Sequence, residues 1–290
     1  MPIPIPQALE ESVGVARAKA TQVRRLPPYL FSSMLAGAYV GAGIVLIVSL
    51  AGPFAAAGSP ATKLVLGATF GLALTLVVFG GAELFTGNVM FMLQGWKARA
   101  VSPGDLMAVW AASLVGNLAG SLAFAALVNA GGTLVAGGAP GNVGPGQALV
   151  DSLIKAKNAA TGPQLFWRSV LCNMLVCLAL WMAARATSDG AKLAVLWWAL
   201  LAFIGSGFEH SVANMTLFGV GIFHGSAAWG DLWRNLAFTV PGNIVGGGLI
   251  VGLGYAWLGR PAPAAAAAPA PVDAELDLGP DGRVPAPATA

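Results

Sequence analysis

Apolar and polar segments alternate along most of this chain. Six apolar segments are long enough to cross a bilayer, since a spanning helix needs roughly 20 mostly apolar residues. They cover about residues 30–50, 64–94, 106–130, 165–185, 193–218 and 234–258. The pattern predicts an all-α membrane protein with six transmembrane helices, which together form one transmembrane domain of residues 29–259.

Composition strengthens this prediction. Hydrophobic residues make up 57% of the 290 residues and charged residues only 9%, whereas soluble domains carry about 25% charged residues. Membrane lipid is therefore the expected environment, and no nucleic-acid partner is expected. Cys172 and Cys177 lie on one predicted helix without a zinc pattern around them. The sequence contains no phosphate-binding loop, metal cluster or nucleophile arrangement, so we expect no enzyme activity, no cofactor and no metal.

Both ends of the chain are expected in the cytoplasm. With six spans and a cytoplasmic N-terminus, ten Lys and Arg residues lie inside and five outside, in agreement with the positive-inside rule. Residues 1–28 are expected to hold an amphipathic cytoplasmic helix, because apolar residues recur there at spacings of three and four. Residues 260–290 are rich in Ala and Pro and are expected to be a disordered cytoplasmic tail. The predicted apolar face of the first helix consists of Leu9, Val13, Ala16, Ala20 and Val23.

The two halves of the chain match each other at an offset of 126 residues. The matched polar pairs are Glu83 with Glu209, Asn88 with Asn214, and Asn117 with Asn243. Each half, about residues 29–130 and 163–259, holds three spans. Because three is an odd number, the second copy must cross the membrane in the opposite direction. We therefore predict two inverted three-helix repeats, an arrangement that places the substrate pathway near the middle of the bilayer, where helices are broken.

The second and fifth spans are predicted to be broken. Glycines and a glutamate interrupt them at residues 80–88 and 205–214, and such residues are costly in lipid unless they face protein or a water-lined cavity. Thr86 and Ser211 are suited to be the N-caps of the helices that resume after the breaks. The positive ends of these helices would favour an anion in the pathway. The matched glutamates and asparagines are expected to be structural residues that satisfy backbone groups at the breaks.

At both breaks the sequence resembles a known family. Gly-Ala-Glu-Leu-Phe-Thr-Gly-Asn at residues 81–88 and Gly-Phe-Glu-His-Ser-Val-Ala-Asn-Met at residues 207–215 are similar to signatures of the formate–nitrite transporter family. Residues 171–182 are similar to the fourth span of its members, and the similarity covers nearly all of residues 29–257. Residues 33–41 resemble the nitrite transporter branch most closely.

The resemblance implies an aquaporin-like fold, assembly as a homopentamer with one pore per protomer, and a place in the bacterial cytoplasmic (inner) membrane. It implies a channel or transporter for a small monovalent anion, with nitrite as the first choice. Formate, lactate, acetate and hydrosulfide remain alternatives within the family. A non-conducting membrane scaffold is the alternative from another class.

The resemblance also assigns residues to the substrate path. The central histidine falls on His210, which would donate a proton or a hydrogen bond to the anion. Whether transport is coupled to a proton stays open. The alternative that His210 is an ordinary buried histidine also stays open. The vestibule lysine falls on Lys157, which would concentrate anions at the mouth or else be an ordinary solvated lysine. The loop of the broken second helix falls on Leu84, Phe85 and Thr86. The hydrophobic constriction falls on Phe70, Leu74, Val176 and Phe203, and the polar lining falls on Asn173.

Overall fold

The computed structural model describes residues 1–137 and 143–259, and the predicted tail at residues 260–290 lies outside them. Every regular element in the two described ranges is helical, so the prediction of an all-α protein is confirmed. A π-helical segment, Ile244–Leu253, lies between the last two α-helices. The α-helices are α1 (Ile5–Gln22), α2 (Leu26–Ala56), α3 (Thr62–Thr69), α4 (Gly71–Phe79), α5 (Phe85–Lys97), α6 (Pro103–Ala130), α7 (Pro145–Ala159), α8 (Gly162–Arg185), α9 (Asp189–Gly205), α10 (Ser211–His224), α11 (Trp229–Asn243) and α12 (Gly254–Leu258).

Several of these helices can cross a membrane. By length and composition, five helical stretches in the described part of the chain qualify. The predicted span at about residues 193–218 is divided between α9 and α10, which have 17 and 14 residues, and each is shorter than a complete crossing. The chain is thus a multi-span membrane protein. The qualifying stretches are Leu26–Ala56, Thr62–Phe79, Pro103–Ala130, Gly162–Arg185 and Trp229–Leu258.

Both predicted helix breaks are present. Residues 80–84 separate α4 from α5, and residues 206–210 separate α9 from α10. In the middle of these breaks, Gly81 and Gly207 have φ angles of +70° and +73°. Glycine adopts this left-handed conformation without the steric cost that a side chain brings. The same residue type therefore ends helical geometry at the same place in each half.

The predicted N-caps were wrong. Leu84 and His210 occupy the N-cap positions of α5 and α10, so the helices begin earlier than a cap at Thr86 or Ser211 would allow. The Leu84 side chain cannot accept a hydrogen bond. The acceptor for the first amide of α5 must therefore come from elsewhere in the fold.

An asparagine from another helix closes each break. The Phe85 amide donates to Asn117 Oδ1 and the Ser211 amide donates to Asn243 Oδ1, both at 2.9 Å. The Nδ2 of each asparagine donates in turn to the carbonyl of the glutamate in the same break, at 2.9 and 3.1 Å. The polar residues matched in the sequence therefore make equivalent contacts, as expected of residues that satisfy exposed backbone groups.

Matched glycines bring neighbouring helices into close contact. A Cβ atom at Gly120 would collide with the carbonyl oxygen of Met34, and one at Gly246 would collide with that of Val170. The first contact joins α6 to α2, and the second joins the π-helical segment to α8. Small residues of this kind allow backbones to approach each other in lipid, so the two halves use the same packing device.

Helix α1 packs against the transmembrane helices. Its fully or nearly buried residues include Ala8, Ser12, Ala16 and Ala20. Of the predicted apolar face, Leu9 and Val13 are only half-buried. In the first two turns the buried face is thus shifted by one residue from the prediction, because small side chains let α1 approach α5 closely. The Ser12 hydroxyl contacts Gln94 of α5 through a buried hydrogen bond.

Candidate functional site

Three cavities share lining residues and so form a series. The Lys157 cavity has a volume of about 240 Å³, and its charged lining residues are Lys157, Arg168 and Glu209. The Lys19 cavity has a volume of about 380 Å³ and contains Lys19 and Glu83 in its wall. A third cavity, the central chamber, has a volume of only about 10 Å³.

The central chamber connects the two larger cavities. Phe203 and His210 line both the chamber and the Lys157 cavity. Leu74 and Leu84 line both the chamber and the Lys19 cavity. A small molecule that moved from one large cavity to the other would therefore pass these four side chains.

The wall of the central chamber is apolar except for His210. Phe70, Leu74, Val176 and Phe203, which the sequence assigns to a hydrophobic constriction, all lie in this wall. The rings of Phe70 and Phe203 meet edge to face, with centroids 5.6 Å apart. An ion in the chamber would lose its water shell with a single polar side chain to replace it, which is costly. The chamber is therefore the main barrier along the series.

The contacts of His210 define its tautomer. Its Nδ1 accepts a hydrogen bond from the Ala213 amide at 3.1 Å, so in the neutral ring the proton resides on Nε2. Nε2 lies 3.0 Å from Thr86 Oγ1, and the ring stacks on Phe203 with a centroid distance of 5.9 Å. His210 is only 4% exposed. The imidazole is thus held as a hydrogen-bond donor, and its Nε2 proton is directed to Thr86 Oγ1.

Thr86 is held from behind by two donors. Its carbonyl accepts from Asn173 Nδ2 at 3.0 Å and from Cys177 Sγ at 3.2 Å. Asn173 Nδ2 also donates to the Asn243 carbonyl, at 2.7 Å. Asn173 is fully buried and lines none of the three cavities, so the structure places it behind the pathway. Phe85 is also buried and lines none of the three cavities.

Lys157 forms an ion pair at the second break. Its Nζ lies 2.7 Å from Glu209 Oε2, and the same carboxylate oxygen accepts from Asn214 Nδ2 at 2.7 Å. Asn214 Nδ2 also donates to Asn235 Oδ1 at 2.8 Å. The Glu209 side chain is 4% exposed. The carboxylate is therefore fixed in place, and it brings the lysine ammonium to the wall of the cavity beside His210.

Lys19 forms the equivalent pair at the first break, which the sequence analysis missed. Its Nζ lies 2.8 and 2.7 Å from the two carboxylate oxygens of Glu83. Asn88 Nδ2 and the Tyr29 hydroxyl also donate to this carboxylate, each at 3.1 Å. A signal was present: each half has a lysine near the end of the helix that precedes its first span, Lys19 in α1 and Lys157 in α7.

These features define a class of protein. A multi-span helical protein with charged cavities on both sides of a small apolar chamber is a membrane transport protein. Comparison with known proteins gives the family: over residues 6–257 the chain matches the family described as formate/nitrite transporter. The chain belongs to the formate/nitrite transporter family, and the resemblance inferred from the two breaks is confirmed.

Individual relatives cover nearly all of the chain. The nitrite transporter NirC of Salmonella typhimurium is 43% identical over 260 residues, which represent 87% of this chain and 92% of that relative. A solved structure described as an FNT family ion channel has a TM-score of 0.79 and 41% identity, with 88% of this chain and 99% of that chain covered. A pentameric formate channel with formate bound has a TM-score of 0.67 and 28% identity, with 81% and 97% covered.

Proposed function

We propose that this protein conducts nitrite across the bacterial cytoplasmic membrane and performs no chemistry on it. The observation that carries the proposal is the series of two lysine-containing cavities joined by a dry chamber with one imidazole donor. The high identity with a nitrite transporter over most of both chains supports nitrite as the anion. A non-conducting scaffold has no need for such a series.

Each step of passage uses a different group. Each of the two large cavities has more cationic than anionic lining residues, and this excess of positive charge raises the anion concentration there. In the chamber the anion must lose its hydration, and the neutral acid loses far less than the ion does. His210 Nε2 then exchanges its hydrogen bond to Thr86 Oγ1 for one to an oxygen of the passing molecule. Nitrite and a proton therefore cross together.

The source of that proton is the solvent of the cavities rather than His210. To act as an acid, the imidazole would need protons on both nitrogens. A proton on Nδ1 would face the Ala213 amide hydrogen, which Nδ1 accepts at 3.1 Å. The geometry thus favours the role of a hydrogen-bond donor over that of a proton donor, two roles that the sequence leaves open. The net positive charge of the neighbouring Lys157 cavity lowers the energy of an anion that waits to be protonated.

The equivalent contacts at both breaks support two inverted three-helix repeats with six crossings. Asn117 and Asn243 make the same backbone contacts 34 residues after their glutamates. Ten positive residues against five support cytoplasmic termini. The pentameric state of a structural neighbour supports a homopentamer with one pathway in each protomer.

Formate is the second candidate substrate. A structural neighbour of this chain is a formate channel with formate bound, and formate is similar to nitrite in charge and size. The apolar wall of the central chamber offers no side chain besides His210 that could separate the two. Selection between them must therefore act outside the chamber.

Purified protein in liposomes should take up nitrite faster than empty liposomes do, and the rate should rise as the external pH falls. The physical reason is that a lower pH increases the fraction of anion that enters the chamber with a proton. Stopped-flow measurement of nitrite and formate uptake at two pH values tests both points. Equal uptake by empty and protein-containing vesicles would rule out conduction, and a rate independent of pH would rule out passage with a proton.

Replacing Cys177 with alanine should lower nitrite flux by a factor of about two to ten. The thiol is one of two donors to the Thr86 carbonyl, and loss of one neutral hydrogen bond costs about 0.5–1.5 kcal/mol. Cys177→Ser keeps a donor and should recover most of the flux. Cys172→Ala is the matched control, because Cys172 is also buried on α8 but does not contact Thr86. An equal loss in both alanine variants would show that Cys177 contributes packing alone.

A further inference from the structure

Within the described part of the chain, the Lys157 cavity contains one cation whose charge is not neutralised by a neighbour. Its charged lining residues are Lys157, Arg168 and Glu209. Lys157 is paired with Glu209 at 2.7 Å. Among residues 1–137 and 143–259, no carboxylate lies within ion-pair distance of Arg168. The net positive charge of this cavity therefore resides on Arg168.

The backbone of Arg168 is fixed beside the second break. Its carbonyl accepts the Glu209 amide at 3.3 Å, and the next residue, Ser169, accepts from Asn243 Nδ2 at 2.9 Å. The side chain is exposed and makes no hydrogen bond with the described residues. A fixed backbone with an uncommitted guanidinium at the cavity wall is suited to bind a ligand from solution.

We propose that Arg168 is a docking site for planar anions with two equivalent oxygens, such as nitrite and carboxylates. A guanidinium offers two parallel N–H donors, which fit such a pair of oxygens in a bidentate contact. Hydrosulfide presents a single acceptor atom and cannot form two parallel contacts, so it fits the pair of donors less well. Arg168 thus selects anions by their shape before they reach the chamber. The apolar wall of the chamber cannot make this selection. The inference rests on the proposed function and deepens it.

The opposite cavity lacks this feature. Its lining cations are Lys19 and Lys192. Lys19 is paired with Glu83 at 2.7 Å, and Lys192 is paired with Asp189 at 3.1 Å. An ammonium group is a point charge and does not read the planar arrangement of two oxygens. Selection by anion shape is therefore confined to the Lys157 side of the protein.

Competition during nitrite uptake tests this site in the full-length protein in liposomes. Formate and hydrosulfide are added outside, and the concentration of each that halves nitrite uptake is measured. Arg168→Lys keeps the charge and removes the fork. It should raise both the half-saturating nitrite concentration and the half-inhibiting formate concentration about tenfold, since charge-assisted bidentate contacts are of that strength. The maximal rate and the half-inhibiting concentration of hydrosulfide should stay within about twofold.

Three outcomes would overturn the inference. Arg168→Lys could behave as the unchanged protein, which would exclude a bidentate contact. It could weaken competition by formate and hydrosulfide equally, which would leave only a point charge. Lys155→Gln, which removes an exposed positive charge from α7 outside the three cavities, could reproduce the effect. Partial misfolding lowers the maximal rate but not the ratio of the two competitors, and absence of nitrite flux in the unchanged protein would instead refute the proposed function.

Discussion

Replacing His210 with asparagine should lower nitrite flux by roughly 10- to 100-fold while the protein stays folded. The imidazole is the only polar side chain in the wall of the central chamber, and a polar group left without its hydrogen bond in an apolar site costs about 1–3 kcal/mol. Loss of this hydrogen bond raises the highest energy barrier along the path and so lowers the rate of passage. An increase of about 1.4 kcal/mol in the barrier corresponds to a tenfold lower rate. Initial rates of uptake into liposomes provide the measurement.

Asparagine is chosen because it preserves the second role of His210. The histidine Nδ1 accepts the Ala213 amide at the start of α10, and asparagine is among the best N-cap residues. His224→Asn is the matched control, since His224 ends the same helix and lines none of the three cavities. Full flux through the His210→Asn protein would show that the chamber does not depend on a hydrogen-bond donor from the ring.

Replacing Asn243 with alanine should destabilise the protein by about 4 kcal/mol. The side chain accepts from the Ser211 amide and donates to the carbonyls of Glu209 and Ser169. Each buried partner left without a hydrogen bond costs about 1–3 kcal/mol. Thermal unfolding of the purified protein should show a large fall in midpoint temperature, and a change of a degree or less would contradict the bracing role of this amide.

The same measurement tests whether the two halves are equivalent. Asn117→Ala removes hydrogen bonds to the Phe85 amide and to the carbonyls of Ser33 and Glu83, so its effect should match that of Asn243→Ala. Asn129→Ala is the control, because Asn129 is exposed at the end of α6. A strong effect in only one half would show that the repeat in the sequence does not extend to stability.

Much of the fold could be predicted because the same polar residues recur at one offset in the two halves of the sequence. Glycine and glutamate inside an apolar segment are expensive in lipid, so residues 80–88 and 205–214 marked the breaks without any alignment. The match of polar residues at one offset also predicted which asparagines would be involved. The helix breaks and the helical class follow from local chemistry of this kind, and the structure agrees with both.

The errors concern contacts between distant parts of the chain. Thr86 is a good local N-cap, but its hydroxyl faces His210, and the cap of α5 is provided by Asn117 on another helix. The pairing of Lys19 with Glu83 joins residues 64 positions apart. The local sequence pattern cannot distinguish Lys19 as a functional residue from its exposed neighbours, because its burial depends on how closely α1 packs on α5.

Asn173 was assigned to the lining of the path by family resemblance, and the structure gives it a different location. Both hydrogens of its amide are directed to carbonyls, one of Thr86 and one of Asn243. No feature of the isolated sequence distinguishes an asparagine that faces a pore from one that faces backbone. Only the positions of the two broken helices make that distinction.

The amide of Asn173 also has a mechanical consequence. One planar group holds the carbonyl next to the first interruption and the carbonyl of the residue that caps the second. If either segment shifts, the amide must tilt and strain its bond to the other. The two interruptions are thereby coupled through one side chain, and we expect a displacement of either one to be transmitted to the other.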